Sequence, residues 1–75
     1  MVKPQARQRA IVDAISDTRR EAGLSQRQLS EKLNQAVNFI QRIESGERDI
    51  SVAEFIAIAI ALKADPCDML RRALR

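Results

Sequence analysis

The chain has 75 residues, of which 45% are hydrophobic and 31% are charged, with 13 Lys or Arg against 10 Asp or Glu and a net charge of +3. This length allows one domain. With no His and a single Cys, the sequence has no Cys/His metal quartet, no imidazole for acid–base catalysis and no internal disulfide. We therefore expect a protein that is not an enzyme, has no metal or cofactor site and works in a reducing, intracellular setting.

The apolar residues are too scattered for a membrane span. The longest apolar run, residues 55–62, has eight residues, whereas a span needs about 18, and the N-terminus lacks the apolar stretch of a signal peptide. We expect a soluble, cytoplasmic protein with no membrane partner. So short a chain buries little surface on folding, which favours self-association, and its basic surplus favours a polyanionic partner.

Apolar residues recur at helical spacing and strand signals are almost absent, so the sequence predicts an all-α fold. Residues 1–7 form a short basic N-terminal arm and residues 8–75 the domain. The first helix is predicted over residues 8–22, and Gly23 follows it where a left-handed residue commonly ends a helix. The predicted apolar stripe of this helix consists of Ile11, Ala14, Ile15, Thr18 and Ala22.

The next two helices are short and close together. Ser25 and Gln28 form a capping box that begins the second helix, which ends near Leu33. Three residues later the third helix is predicted over residues 37–45, and Gly46 marks its end. Two short helices joined by three residues are typical of a helix-turn-helix.

Capping signals also begin the last two helices. Ser51 and Glu54 form a second capping box for the fourth helix, predicted over residues 52–63. Asp65 precedes the fifth helix, and Pro66 takes the first-turn position that proline tolerates. The sequence therefore predicts five helices in one domain.

The segments Leu-Ser-Gln-Arg-Gln-Leu-Ser-Glu-Lys-Leu (residues 24–33) and Phe-Ile-Gln-Arg-Ile-Glu-Ser-Gly (residues 39–46) resemble the lambda-repressor-like, or Cro/C1 and Xre, helix-turn-helix family of bacterial and phage regulators. The resemblance covers about residues 11–74. It implies a five-helix DNA-binding domain that acts as a repressor or controller protein. Such domains usually bind a pseudo-palindromic double-stranded DNA operator as a homodimer, with the third helix in the major groove.

The outer side of the third helix indicates base readout independently of the resemblance. With Phe39, Ile40 and Ile43 turned inward, the helical period leaves a polar face with one charge outside. Asn and Gln suit adenine, Arg suits guanine, and Val contacts a thymine methyl. An ordinary solvated helix face is the alternative. Because the first residues of a recognition helix reach the base edges, we predict base readout by Val37, Asn38, Gln41 and Arg42.

Residues on both sides of that face fit DNA phosphates. Gln26 and Arg27 stand in the first turn of the second helix, where free N–H groups and the helix dipole favour an anion, and the family's matching Gln binds the DNA backbone. Arg48, just past the third helix, is the predicted phosphate contact on the other side of that face. Glu47 and Asp49 weaken phosphate binding there, since the family often has basic residues at these positions. Solvated side chains are the alternative for Gln26, Arg27 and Arg48.

Other positions are interpreted from the family pattern. The resemblance implies a structural ion pair between Arg19 and Glu44, with two unrelated surface charges as the alternative. At the position of Asn34 the family usually has Gly, and Asn also tolerates a left-handed backbone. At the position of Ala36 the family commonly has a hydroxyl side chain that caps the third helix, so we expect a loose or shifted start of this helix.

The fourth helix is apolar over about 300° of its circumference, more than one core stripe needs. We infer a twofold homodimer contact formed by Ile58, Ala61 and Met69. The alternative is a central helix buried all round by its own chain. Cys67 is predicted to face the core, with a redox switch as the alternative. The rival function is an antitoxin-like module that binds another protein through helices four and five.

Overall fold

The computed structural model describes residues 4–75, and side chains from residue 6 onward, as five α-helices without a strand in that range. The helices are α1 (Pro4–Glu21), α2 (Gln26–Lys32), α3 (Phe39–Glu44), α4 (Val52–Ala61) and α5 (Pro66–Ala73). α1 packs on α5 and α3, α2 packs on α3, and α4 packs on α5 and α2. The prediction of an all-α, five-helix fold is confirmed.

Local capping explains where α2 and α4 begin. The Ser25 hydroxyl accepts a hydrogen bond from the Gln28 N–H at 3.0 Å, and the Gln28 side chain accepts one from the Ser25 N–H at 2.8 Å. Ser51 and Glu54 form the same reciprocal pair, at 3.0 and 2.9 Å. Each pair satisfies two N–H groups that a helix start leaves without partners. Both predicted capping boxes are confirmed.

Four helices are followed by a residue with a left-handed backbone. Gly23 (φ 75°), Gly46 (φ 84°) and Asn34 (φ 56°) were expected there, but Lys63 (φ 55°) was not. The sequence predicted that Lys63 lies in the fourth helix, whereas α4 ends at Ala61. Because a Cβ atom makes this conformation unfavourable, Lys63 is a strained position.

The core forms where the five helices meet. Its central side chains, which are 0–2% exposed, are Ile15, Leu29, Ile40, Ile43, Ile58 and Met69. Val12, 3% exposed, extends the buried stripe of α1. Ala22 was predicted to belong to that stripe, and this is wrong: it lies past the end of α1 and is exposed.

The N-terminal boundary also differs from the prediction. α1 begins at Pro4, so residues 4–7, assigned to the basic arm, are helical. Residues 1–3 of the predicted arm lie outside the described residues. A proline fits the start of a helix because the first turn leaves its N–H groups unpaired in any case.

The buried side of α4 is not the side that the sequence analysis assigned. Its core-facing residues have the spacing of one helical stripe: Phe55, Ile58, Ala59 and Leu62. Ile58 is 0% exposed and Met69 is 2% exposed, so both pack within one chain and offer no surface to a second copy. Their assignment to a dimer contact is wrong. Ala61 packs against the same core but is only half-buried.

The first turn of α5 brings another correction. Cys67 is exposed, although the sequence predicted that it faces the core. Met69 and Ala73 occupy the buried side of α5 instead. Within residues 4–75, no helix has the length and apolar character needed to cross a bilayer.

Candidate nucleic-acid interface

A hydroxyl group from α2 caps α3. Ser30 is fully buried, and its Oγ accepts a hydrogen bond from the Ile40 N–H at 3.0 Å and donates one to the Gln26 carbonyl at 2.9 Å. Ile40 is the second residue of α3, where the N–H has no partner inside the helix. Asn38, the flanking residue, makes no side-chain cap. Ser30 thus supplies the acceptor that Ala36 cannot, and it fixes α3 against α2.

The predicted readout residues lie on one exposed surface around the start of α3. α3 begins at Phe39 rather than at residue 37, which agrees with the shifted start expected from Ala36. Val37, 56% exposed, lies in the turn before α3, and Asn38 is the flanking residue. Asn38, Gln41 and Arg42 are also exposed. The structure therefore leaves all four side chains exposed, two before α3 and two on it.

A buried carboxylate joins α1, α2 and α3. Glu44 accepts hydrogen bonds from Arg19 Nε at 2.8 Å and Nη2 at 3.1 Å, and from Gln26 Nε2 at 2.8 Å. The Ser16 hydroxyl donates a longer one at 3.3 Å. The side chains of Arg19 and Glu44 are 9% and 8% exposed. Since each helix contributes to this cluster, it fixes α3 relative to the other two.

Two opposing effects act on the protonation of this carboxylate. Burial alone raises the pKa of Glu44, but the hydrogen bonds from Arg19 and Gln26, with the positive charge of Arg19, outweigh it. The net pKa lies below the usual value for glutamate. Glu44 is therefore an anion at neutral pH and balances the positive charge of Arg19.

The two residues of α2 that are predicted to bind phosphates differ in how firmly neighbouring side chains hold them. Gln26 is half-buried, and its amide donates one hydrogen bond to Glu44. The second amide hydrogen is left for another acceptor. Arg27 is 74% exposed and pairs with Glu31 at 3.1 Å. Exposed pairs of this kind contribute little free energy, so Arg27 can exchange Glu31 for a phosphate.

Arg48 is held more firmly, in the loop between α3 and α4. Its Nη1 and Nη2 donate to the two carboxylate oxygens of Glu54 at 3.0 and 2.7 Å. Its guanidinium lies 4.8 Å from the centre of the Phe39 ring. Arg48, together with the Ser51 N–H, lowers the pKa of Glu54 to about 2. Arg48 thus ties the loop to α3 and α4, a structural role that the sequence analysis missed.

A polar cleft of about 500 Å³ lies between α1 and α3, beside the predicted readout residue Gln41. Arg9 and Arg20 of α1 line it together with Gln41. Arg9 donates to Asp13 and, at 3.0 Å, to the carbonyl of Glu44 at the end of α3. Arg20 has a side chain that is 66% exposed. These two residues were not predicted, because nothing in the spacing within α1 shows that this side of the helix borders α3.

The family model for helix-turn-helix domains of the Cro/C1 type matches residues 15–68. The chain belongs to this family. It is a DNA-binding transcriptional regulator, and the resemblance inferred from its sequence is confirmed. Among solved structures, the chain is similar to the clp gene regulator ClgR from C. glutamicum, with 24% identity and a TM-score of 0.82 over 91% of this chain and 87% of that one. At this identity the likeness concerns the fold alone. A search of curated proteins found no match.

Proposed function

We propose that this helix-turn-helix protein regulates transcription as a homodimer on a pseudo-palindromic operator, with α3 in the major groove. The observation that carries the proposal is the exposed polar side of α3, which buried hydrogen bonds accepted by Ser30 and Glu44 hold in one position. A surface whose geometry is fixed before binding loses less conformational freedom on binding. Base-specific contacts need such fixed geometry, because hydrogen bonds to base edges are directional.

The contacts divide into two kinds under this proposal. Side chains on the exposed side of α3 and the turn before it read base edges: Val37, Asn38, Gln41 and Arg42. Gln26 and Arg27 contact phosphates beside them. Arg48 contributes less than Arg27, since a phosphate must displace the two hydrogen bonds to Glu54. Phosphate contacts position the protein and base contacts specify the sequence.

The exposed side of α4 provides the surface that we assign to the homodimer contact. Val52, Ile56 and Ile60 follow one another at four-residue intervals and are 77%, 42% and 68% exposed. Contiguous exposed apolar surface on a soluble protein usually marks an interaction site. A twofold contact through this surface makes the two α3 helices equivalent. The operator then has half-sites about 10 base pairs, or a multiple of that, apart.

Two matched substitutions test the assignment of surfaces. Ile60→Asp and Val37→Asp each place a carboxylate at an exposed aliphatic position, so both variants fold. We expect Ile60→Asp to be monomeric and to bind the operator at least tenfold more weakly, and Val37→Asp to stay dimeric and lose operator preference. Site selection from random duplexes, with light scattering on the same samples, measures both effects. A monomeric unmodified protein at tens of micromolar contradicts the homodimer, and a dimeric Ile60→Asp variant contradicts the assignment of the contact to the exposed side of α4.

Salt dependence tests the DNA contact itself. Each phosphate that the protein neutralises adds about −0.9 to the slope of log K against log salt, so operator affinity falls steeply as salt rises. A flat response, or equal affinity for operator and scrambled duplexes, contradicts the proposal. Equal affinities favour the rival function, a protein-interaction module that uses α4 and α5.

A further inference from the structure

Arg42, one of the proposed readout residues, has a carboxylate partner outside its own helix. Its Nε donates to Glu47 Oε2 at 3.1 Å. Arg27 and Glu31 are one helical turn apart, as in many surface pairs. Arg42 and Glu47 are five residues apart and come together only because the chain reverses after α3.

The turn after α3 fixes the position of Glu47. Gly46 has a φ of 84° and donates its N–H to the carbonyl of Ile43 at 3.1 Å. The next bond in the turn joins the N–H of Arg48 to the carbonyl of Arg42, also at 3.1 Å. Glu47 stands between these two bonded residues. The backbone of the turn therefore brings Glu47 back beside Arg42, and its side chain, 62% exposed, completes the contact.

The pairing leaves the end of the guanidinium open. Only Nε of Arg42 has a partner among the described residues, while Nη1 and Nη2 have none there. Guanine presents two acceptors, O6 and N7, to which an arginine donates two hydrogen bonds. The hydrogen bond at Nε favours one orientation of the guanidinium and leaves two donors for that base edge.

We propose that Glu47 is a specificity-determining residue that positions Arg42 for a guanine contact and disfavours its binding to phosphates. The inference rests on the proposed function. Where the base pair facing Arg42 is not a guanine pair, phosphates are the alternative acceptors for its guanidinium, and the neighbouring carboxylate of Glu47 repels them. Glu47 thus lowers affinity for non-operator DNA and raises the preference for the operator.

The test compares Glu47→Ala and Glu47→Gln on the operator, on all its single-base variants and on a scrambled duplex. Arg42→Ala first identifies the base pair that Arg42 reads, as the position where it loses discrimination. We expect Glu47→Ala to lower the guanine preference at that pair by about twofold to fivefold, the range of an exposed ion pair that orients the guanidinium. Glu47→Gln retains most of the preference, because its amide oxygen still accepts from Nε. Both variants bind the scrambled duplex about twofold to fivefold more tightly.

Asp68→Asn is the matched control. It makes the same change in net charge at an exposed pair, Asp68 with Arg71, on α5. We expect it to leave the base preference unchanged at every position. A preference that is unaltered in Glu47→Ala, or that falls equally at all base pairs, overturns the role of Glu47 while leaving the proposed function in place. Arg42→Ala with no position-specific loss also overturns it. An unmodified protein that prefers no duplex overturns both.

Discussion

The side of the domain formed by α2 and α3 and the side formed by the exposed face of α4 differ in how their surface residues are held. α2 and α3 have seven and six residues, too few for a stable helix in isolation. Buried hydrogen bonds accepted by Ser30 and Glu44 fix them in place. α4 has ten residues, packs one apolar stripe into the core and exposes aliphatic side chains on its other side.

This difference separates two kinds of mutational effect. On the α2–α3 side, polar groups inside the protein determine where the readout residues lie, so a buried substitution changes both stability and DNA recognition. On the α4 side, the core stripe through Ile58 maintains the fold, and the exposed stripe through Ile60 is free for assembly. The following predictions test that separation, beginning with the largest effect.

The largest effect is expected at Glu44. Glu44→Ala leaves the Arg19 guanidinium, with a side chain 9% exposed, without its carboxylate. A stranded buried charge costs about 3–5 kcal/mol, which is comparable to the whole stability of so small a domain. We expect the variant to be largely unfolded at room temperature in thermal and urea unfolding monitored by circular dichroism.

Glu31→Ala is the control for this prediction. It removes the carboxylate of another Arg–Glu pair, but both side chains, at 74% and 59%, are well exposed. Such pairs contribute about 0–1 kcal/mol. Equal destabilisation by the two variants shows that the Glu44 cluster does not hold the α2–α3 side together.

A smaller loss is expected from Ser30→Ala. The Ile40 N–H then lacks its 3.0 Å partner inside the protein, and a buried donor without an acceptor costs about 1–3 kcal/mol. Since the lost bond joins α2 to α3, operator affinity falls even at temperatures where the variant is folded, while affinity for a scrambled duplex changes little. Urea unfolding and binding titrations measure the two effects separately.

Ser45→Ala provides the comparison for Ser30→Ala. Ser45 also donates a hydrogen bond to a backbone carbonyl, that of Arg42 at 3.1 Å, but it is exposed, so water replaces the lost partner. We expect a change of about 0.5 kcal/mol or less. If Ser30→Ala is no worse than this variant, Ser30 is not the cap that positions α3.

The sequence predicted features that depend on neighbouring residues. The capping boxes at Ser25 and Ser51 need partners only three residues away, and the left-handed backbone of Asn34 follows from a short side chain next to the helix end. The exposed side of α3 followed in the same way, since the helical period separates it from Ile40 and Ile43. Local rules suffice for such features.

Features that depend on distant parts of the chain were missed. An apolar arc of about 300° on α4 does not show which part faces α2 and α5, so Ile58 was assigned to the surface although it is in the core. The hydroxyl that caps α3 comes from Ser30, ten residues before its partner. The Arg48 to Glu54 pair requires the fold of the loop before it can be identified.

The end of α4 gives the smallest and most local prediction. Lys63, with φ 55°, donates its N–H to the carbonyl of Ile60 at 3.0 Å, and Ala64 donates to that of Ala59 at 2.9 Å, which is the Schellman arrangement that normally uses glycine. Lys63→Gly removes a backbone cost of about 1–2 kcal/mol. The greater freedom of glycine in the unfolded chain returns about 0.5–1 kcal/mol of this.

We therefore expect Lys63→Gly to stabilise the domain by about 0.5–1 kcal/mol, or about 2–8 °C in melting temperature for a chain of this size. Lys32→Gly is its matched control, because Lys32 is an exposed lysine with helical backbone, the last residue of α2. There glycine costs about 1 kcal/mol and lowers the melting temperature. Opposite shifts for the same substitution, at equal protein concentration, trace the effect to the left-handed backbone at residue 63. A lowered melting temperature for both variants means that Lys63 makes a stabilising contribution larger than its backbone strain.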